Sequence, residues 1–589
     1  MNLAKFLALV DKTSENMELT QLKSFIHDTA RVIPETMRTD FLERLENQFN
    51  CAAAKGDKDA ISENNKLKYM ELKEKLSKIE DWEMCLIGEL NEEYDDWYNS
   101  DEDEFIFYDP EKIGQVIIEA VQYLDKCIDE EMFQEGCEIA NTIIDIKIMV
   151  GGEYQDYSYE PLDLEDLCRY KLAKFDYKSV IIDSLYLVYC GTPLKERAKR
   201  LYEMTQAARI ENVTLEDIMQ RGEELHDFEE FLPLWITFLG DKNTRVAHLL
   251  LLEAMELSNS PESFLENARR FYEQHPSLYE KYLIDNQEKS ELSDLIEVGK
   301  EALSHIPSKY IIRSRIALQM ADFLIQKNKK ITDEVEMCWL EAYKSDTSVT
   351  NYLRLMLNSR DFAKWNNEMQ LINHEMLKHS KKENTYYYTK SDELQENCLI
   401  ANEVYLIALL NGEYKFVKEK GMNCKEALGW SSSFMKQGLA GFLLLLIENT
   451  TLQQGGDAML SKILFESQFK TADYVKGQGK MRNASVDDKT MLWECFLKVK
   501  SMVAITSDEC TYYMKWIEKL IEKRVDGIME NNRRNYYGEC AAYIATIGEV
   551  KESLGQEHAK QRIMTDYKAK YNRRRVFHQE LRAYGMADK

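Results

Sequence analysis

Apolar residues recur three and four positions apart along most of this 589-residue chain. That spacing places them on one face of a helix and predicts amphipathic helices throughout. Near the start, Asn16 stands as an N-cap before Leu19, Leu22, Phe25 and Ile26, and Phe41, Leu42 and Leu45 follow Pro34 at the same spacing. A charged helix is expected over 64–79. Paired helices are expected at 113–129 with 131–149 and at 177–190 with 194–208. Further helices fit 214–224, 227–239, 243–258 and 261–274.

A weak repeat follows. EQHPSLYEKY, SHIPSKYIIR and KSDTSVTNYL each carry a short Ser-containing turn and a Tyr that enters the next helix. Aligning Pro276, Pro307 and Thr347 gives steps of 31 and 40 residues, the range of two-helix units of the tetratricopeptide (TPR) type. Ala302 and Ala342 lie in the helices just before two of these turns, where a small residue suits close packing. A polar break begins at His379. Beyond it, 397–410 is strongly apolar, Asn411-Gly412-Glu413 makes a tight turn, and 427–447 is apolar enough to require burial. The stretch 447–488, with Gly455-Gly456 and GQGK, is the least regular. The chain closes on a helical hairpin. Its first helix, over 535–552, has Ala541, Ile544, Ala545 and Gly548 on its inner face, and Gly555 is the expected stop. Its second carries Ala559, Ile563, Met564 and Tyr567, and a basic turn and a short last helix follow. The expected fold is all-α, a TPR-like α-solenoid of antiparallel helix pairs. Its expected parts are an N-terminal helical region (1–80), an acidic aromatic connector (81–111), TPR-like repeats (112–380) and C-terminal repeats with a basic tail (381–589).

Charge changes the picture in two places. The net charge is −27, yet from Thr511 onward 16 Lys and Arg face 11 Asp and Glu, so an acidic body carries a basic end. Repulsion from so acidic a surface argues against general nucleic-acid affinity. Between Glu80 and Glu111 stand 14 Asp and Glu and no Lys or Arg, interleaved with aromatics such as Trp97, Tyr98 and Phe107. The segment lacks the turn glycine of an EF-hand. It reads as a solvated connector whose aromatics pack locally, the alternative being a docking segment for a basic partner. Asp109-Pro110 is expected to start the next helix. The 12 cysteines form no CxC, CxxC or Cys/His cluster, so no zinc ligand set is visible. Cys338, Cys398 and Cys540 fall on apolar faces, which fits free thiols in a reducing cytoplasm. No signal peptide is visible at the start. The longest apolar run, Leu439 to Ile447, is too short to span a bilayer.

Stretches that look like catalytic signatures fail on spacing or context. His374 and His379 of HEMLKH are five apart, about 140° around a helix, so they do not share a metal on one face. GQGK lacks the first glycine of a P-loop, where Tyr474 stands, and its Ser/Thr, where Met481 stands. Ser431, Ser432 and Ser433 read as helix-start caps. No cofactor is expected. The dense basic cluster is Lys568, Lys570, Arg573, Arg574, Arg575 and Arg582. It is the candidate binding site, either for an acidic partner or for phosphate. The alternative is internal pairing, because basic groups near a helix C-terminus complement its dipole.

EAYKSDTSVTNYLRL, LLNGEY, LGWSSS and the tail YNRRRVFHQELRAYG resemble the helical, TPR-like region that follows the zinc finger in bacterial SWIM zinc-finger proteins. The CxC and CxH of that finger do not occur here, so no family metal or nucleic-acid residue carries over. The resemblance implies a helical scaffold that works with a separately encoded partner. The expected function is accordingly non-enzymatic and cytoplasmic, the binding of a protein or peptide without a membrane. A nucleic-acid-associated accessory factor acting through the basic tail is the alternative.

Overall fold

The computed structural model describes residues 13, 17, 19–32, 41, 58–90, 105–151, 161–208, 213–221, 225–258, 261–379, 394–397, 401–422, 438–479 and 485–587. The chain is mostly helical, with few strands. Its contacts divide it into two compact units, residues 1–263 and 264–589. Among the described residues no helix is long and apolar enough to cross a membrane. The candidate cap Asn16, the serines of GWSSS and Cys398 lie outside the described residues.

In the first unit the helices are α1 (Leu19–Val32), α2 (Lys58–Glu80), α3 (Ile113–Asp129), α4 (Phe133–Asp145) and α5 (Leu164–Arg169). Then come α6 (Tyr177–Gly191), α7 (Leu194–Ala207), α8 (Leu215–Met219), α9 (Phe228–Gly240) and α10 (Arg245–Ser258). The central element is α6. Its run from Val180 to Tyr189 is apolar on nearly every side, so it is stable only when enclosed. Helices α3, α4, α5, α7 and α8 all pack against it. Asp109 starts α3 as its position suggests: its carboxylate accepts the N–H of Ile113 and of Gly114, each at 2.7 Å.

The acidic stretch contributes strands that its composition did not announce. β1 (Leu86–Leu90) pairs antiparallel with β2 (Phe105–Tyr108), with Ile87 opposite Tyr108 and Leu90 opposite Phe105. On its other edge β1 pairs in parallel with β3 (Val150–Gly151). Faces alternate as a strand requires. Ile106 and Tyr108 are exposed, while the Phe107 ring meets Tyr170 edge-on at 4.6 Å. The remaining acidic residues, 91–104, lie outside the described residues.

In the second unit the helices run α11 (Pro261–Phe271, which begins just before the division), α12 (Ser277–Asp285), α13 (Leu292–His305), α14 (Ile312–Asn328), α15 (Asp333–Ser345) and α16 (Val349–Asn358). Next are α17 (Phe362–His379), α18 (Ala401–Leu410), α19 (Tyr414–Met422), α20 (Leu439–Leu446), α21 (Gln454–Ser467) and α22 (Thr471–Tyr474). The last are α23 (Asp488–Met502), α24 (Ser507–Glu530), α25 (Tyr537–Ser553), α26 (Ala559–Lys570) and α27 (Arg575–Ala583). From α12 to α17 each helix packs on the next. Ala302 and Ala342 are fully buried before their turns, and every residue of α20 is buried. Other contacts reach far along the chain: α16 touches α22 and α23, and α25 touches α21.

Two glycine pairs read as irregular loop have definite places. Gly455 and Gly456 lie in the first turn of α21. Gly477 and Gly479 take φ of +72° and +75°, the left-handed region that favours glycine. Their N–H groups donate to the Asp322 carboxylate at 2.9 and 2.7 Å, and Trp339 Nε1 donates to the Gly477 carbonyl at 2.6 Å. The loop that looks like part of a phosphate cradle thus holds the protein's own carboxylate.

The closing hairpin forms as its small residues imply. Gly555 turns the chain at φ +89°. A Cβ on Gly548 would lie 2.3 Å from Cα of Lys560 on α26. Alanine gains about 1 kcal/mol of helix propensity over glycine, but overpacking against backbone costs about 1–3 kcal/mol or more. Gly548→Ala is therefore expected to lower stability in denaturant titration. A rise of about 1 kcal/mol would instead show that the two helices are free to separate.

Glu253 yields a pH dependence in the first unit. Its carboxylate accepts the N–H of Leu215 at 3.0 Å and of Glu216 at 3.1 Å, at the start of α8. Burial raises its pKa from 4.5 to about 6, against the opposing pull of these two donors. The folded unit then binds this proton more tightly than the unfolded chain. The contribution is fully present below pH 4.5 and lost as pH rises through about 6. Urea titrations across this window are expected to show a loss of about 2 kcal/mol from this group, which Glu253→Gln flattens.

Candidate interaction site

The basic cluster is built at the join of α26 and α27, against the end of α24. Helix α24 starts with a capping box, in which Thr506 and Glu509 each bond the other's backbone N–H. It ends near Met529 with carbonyls that lack partners within the helix. Arg574 supplies one: its Nη2 donates to the Met529 carbonyl at 2.9 Å and its Nη1 to the side-chain oxygen of Asn532. Lys570, in the last turn of α26, pairs with Asp526 at 2.7 Å and Glu522 at 3.3 Å. Its hydrogen bond to Asp526 is the main cause of its raised pKa. The Tyr571 hydroxyl also donates to Asp526, and burial together with that contact pushes its pKa up.

The six residues therefore divide. Lys570 and Arg574 fasten the hairpin to α24, as the internal-pairing alternative expects. Arg582 also has a partner. Arg573 and Arg575 are exposed and Lys568 is half-buried, and among the described residues these three have no ion pair or hydrogen bond. Arg575 opens α27, whose first turn contains no acid, at the end where the helix dipole disfavours a cation. Arg582 lies seven residues on, on the same face and about 10 Å along the axis.

Ionic groups that the sequence did not single out lie deeper in the second unit. Lys560 Nζ meets Glu549 Oε1 at 2.7 Å, with side chains 5% and 2% exposed. The same carboxylate accepts the N–H of Gly455 at 2.8 Å and of Gly456 at 2.7 Å. Arg524 donates to Glu539 at 2.6 Å, and Lys462 approaches that carboxylate at 3.3 Å while donating to the Tyr543 hydroxyl at 2.9 Å. Arg354 is wholly buried, which lowers its pKa to about 10; it bonds the carbonyls of Tyr474 and Asp473. No sequence pattern marks these partners, because each pair joins helices remote along the chain or across a turn.

The first unit contains a cleft of about 720 Å³ lined by Asp125, Asp176, Asp183, Asp217 and Arg221. Its acids are already engaged. Arg221 bonds Asp183 and Asp125, Asp176 caps α6, and Asp217 completes a capping box with Thr214. His374 Nε2 lies 3.4 Å from Glu413 Oε1, and the side chain of His379 lies outside the described residues. Cys338 and Cys540 are buried thiols whose pKa burial pushes up to about 12, which suppresses the reactive thiolate. No protein-family model matches the chain, and no curated protein sequence matches it.

The division among the arginines is testable. Arg574→Ala removes the shorter donor to the Met529 carbonyl, leaving the Asn532 N–H at 3.4 Å, and frees the side chain of Asn532; it is expected to cost about 1–2 kcal/mol in denaturant titration. Arg573→Ala and Arg575→Ala are expected to stay within about 0.5 kcal/mol of the native chain. Equal losses for all three would show that the exposed arginines are also structural.

Proposed function

We propose that the chain is a non-enzymatic helical scaffold that binds a protein partner through the join of α26 and α27. The observation that carries this reading is the set of unpaired cations there. In a chain of net charge −27, Lys568, Arg573 and Arg575 have no ion pair or hydrogen bond among the described residues, while Lys570 and Arg574 fix the backbone beneath them. Cations left in water beside a firmly held turn lose little on meeting a carboxylate-rich segment. In this reading the helices from α12 to α17, each packed on the next, form a TPR-like array of antiparallel pairs. The resemblance to the helical region of SWIM zinc-finger proteins supports a separately encoded partner, with the scaffold working in the cytoplasm.

A second reading has one specific observation behind it: Arg573, Arg575 and Arg582 are exposed together at the positive end of the chain. Such a patch also suits phosphate in a nucleic acid or nucleoprotein. Affinity capture from native lysate, with and without nuclease, separates the two. The tagged chain is compared with an Arg573→Glu/Arg575→Glu variant that retains Arg574. The expected outcome is a nuclease-resistant protein lost from the variant, whose purified form binds the native chain directly. Recovery of only nuclease-sensitive material would support the phosphate reading. Identical capture by both forms would remove the join as the docking point.

A further inference from the structure

The turn between α18 and α19 collects polar side-chain atoms that are buried without partners. Among the described residues no hydrogen bond reaches the Tyr352 hydroxyl, Asn373 Nδ2, Asn411 Nδ2, Glu413 Oε2 or the Tyr414 hydroxyl. Orphaned buried polar atoms cost about 1–3 kcal/mol each, so native proteins rarely gather them in one place without something to satisfy them.

Four of these atoms, on Tyr352, Asn373, Glu413 and Tyr414, belong to one locality, and Asn411 stands two residues before Glu413 in the turn. The Tyr343 and Tyr352 rings meet at 6.0 Å, and the Tyr343 hydroxyl donates to Asn373 Oδ1. The next residue, His374, faces Glu413 Oε1 at 3.4 Å. Tyr352 is fully buried, which raises its pKa, and the nearby Glu413 and Tyr414 raise it further. The circuit therefore closes through α15, α16, α17 and the 411–414 turn, which all lie in the second unit. Aromatic rings surround it: Phe362 lies 6.0 Å from Tyr352, and Phe442 and Tyr513 lie 6.1 and 5.9 Å from Tyr414. The locality also has a route to solvent, because Glu413 is 18% and His374 44% exposed.

The vacant valences define a chemistry. A carboxylate oxygen and two phenol oxygens ask for a donor, and a carboxylate in a half-buried place asks for a cationic one. The two carboxamide nitrogens are donors, and they suit an oxygen acceptor beside the cation. We propose that this locality is a binding site for a small primary ammonium compound that carries a neighbouring oxygen, with Glu413 Oε2 as its counter-charge. The ammonium N–H groups donate to Glu413, Tyr352 and Tyr414, and Asn373 and Asn411 donate to the oxygen.

Ethanolammonium chloride serves as the probe, against sodium chloride at equal ionic strength. Thermal unfolding of the full chain is expected to shift upward with added probe, and above the dissociation constant to keep rising with the logarithm of its concentration, as binding to the folded state alone requires. The probe affinity is expected to fall at least about tenfold in Glu413→Gln, and by less in Tyr352→Phe. Glu419→Gln, on an exposed position of α19, controls for general loss of charge. It is expected to bind the probe as the native chain does. The melting temperature of each variant without probe shows whether it folds, and Tyr352→Phe tests the site if Glu413→Gln does not. Equal shifts with ethanolammonium and sodium would overturn the proposal. So would equal probe affinity in the native chain and in both site variants.

Discussion

The buried pair of Lys560 and Glu549 holds the C-terminal part of the second unit together. Removing two charges from water is expensive, and their attraction offsets this only when every remaining valence is filled. Here each valence has an occupant. The two oxygens of Glu549 take the first N–H groups of α21, and Lys560 reaches the side chains of Gln453 and Gln454 as well as Glu549. One ionic contact therefore ties the start of α21 to the last turns of α25 and the start of α26. The arrangement needs α25 and α26 close together, and Gly548, beside Glu549, allows it. A Cβ at Gly455 would meet Thr546 N at 2.7 Å and Glu549 Oε1 at 2.9 Å, and one at Gly456 would meet the Leu452 side chain at 2.9 Å.

Much of the helical framework was legible. The apolar spacing gave 113–129, 177–190 and 194–208 to within a residue of the observed helices, and Gly555 marked its turn. These succeed because local preference and burial agree there. The reading of 447–488 as irregular went wrong at α21, since a Gly-Gly start looks like a loop. The cap that starts that helix is a carboxylate about ninety residues away. The strands β1 and β2 were missed for a related reason: acidic neighbours masked short apolar runs, and a two-residue strand completes the sheet.

The candidate site was legible in composition and not in use. Three consecutive arginines have the same sequence signal, yet Arg574 completes the end of α24 while Arg573 and Arg575 face solvent. Which of them is free depends on where a helix forty residues earlier stops. The glycine loop teaches the same lesson in reverse. GQGK, which lacks the residues of a P-loop, proves to be a socket for Asp322, since backbone N–H groups donate to any anion of suitable shape.

The reach of Glu549 also sets an order of events during synthesis. Gly455 waits for an acceptor 94 residues downstream. At about 5–20 residues per second, the first turn of α21 remains without it for roughly 5–20 s after Gly455 has been added. Over that interval the apolar face of α21 has no α25 to cover it. The part of its apolar surface that α25 later covers stays in contact with water for that long.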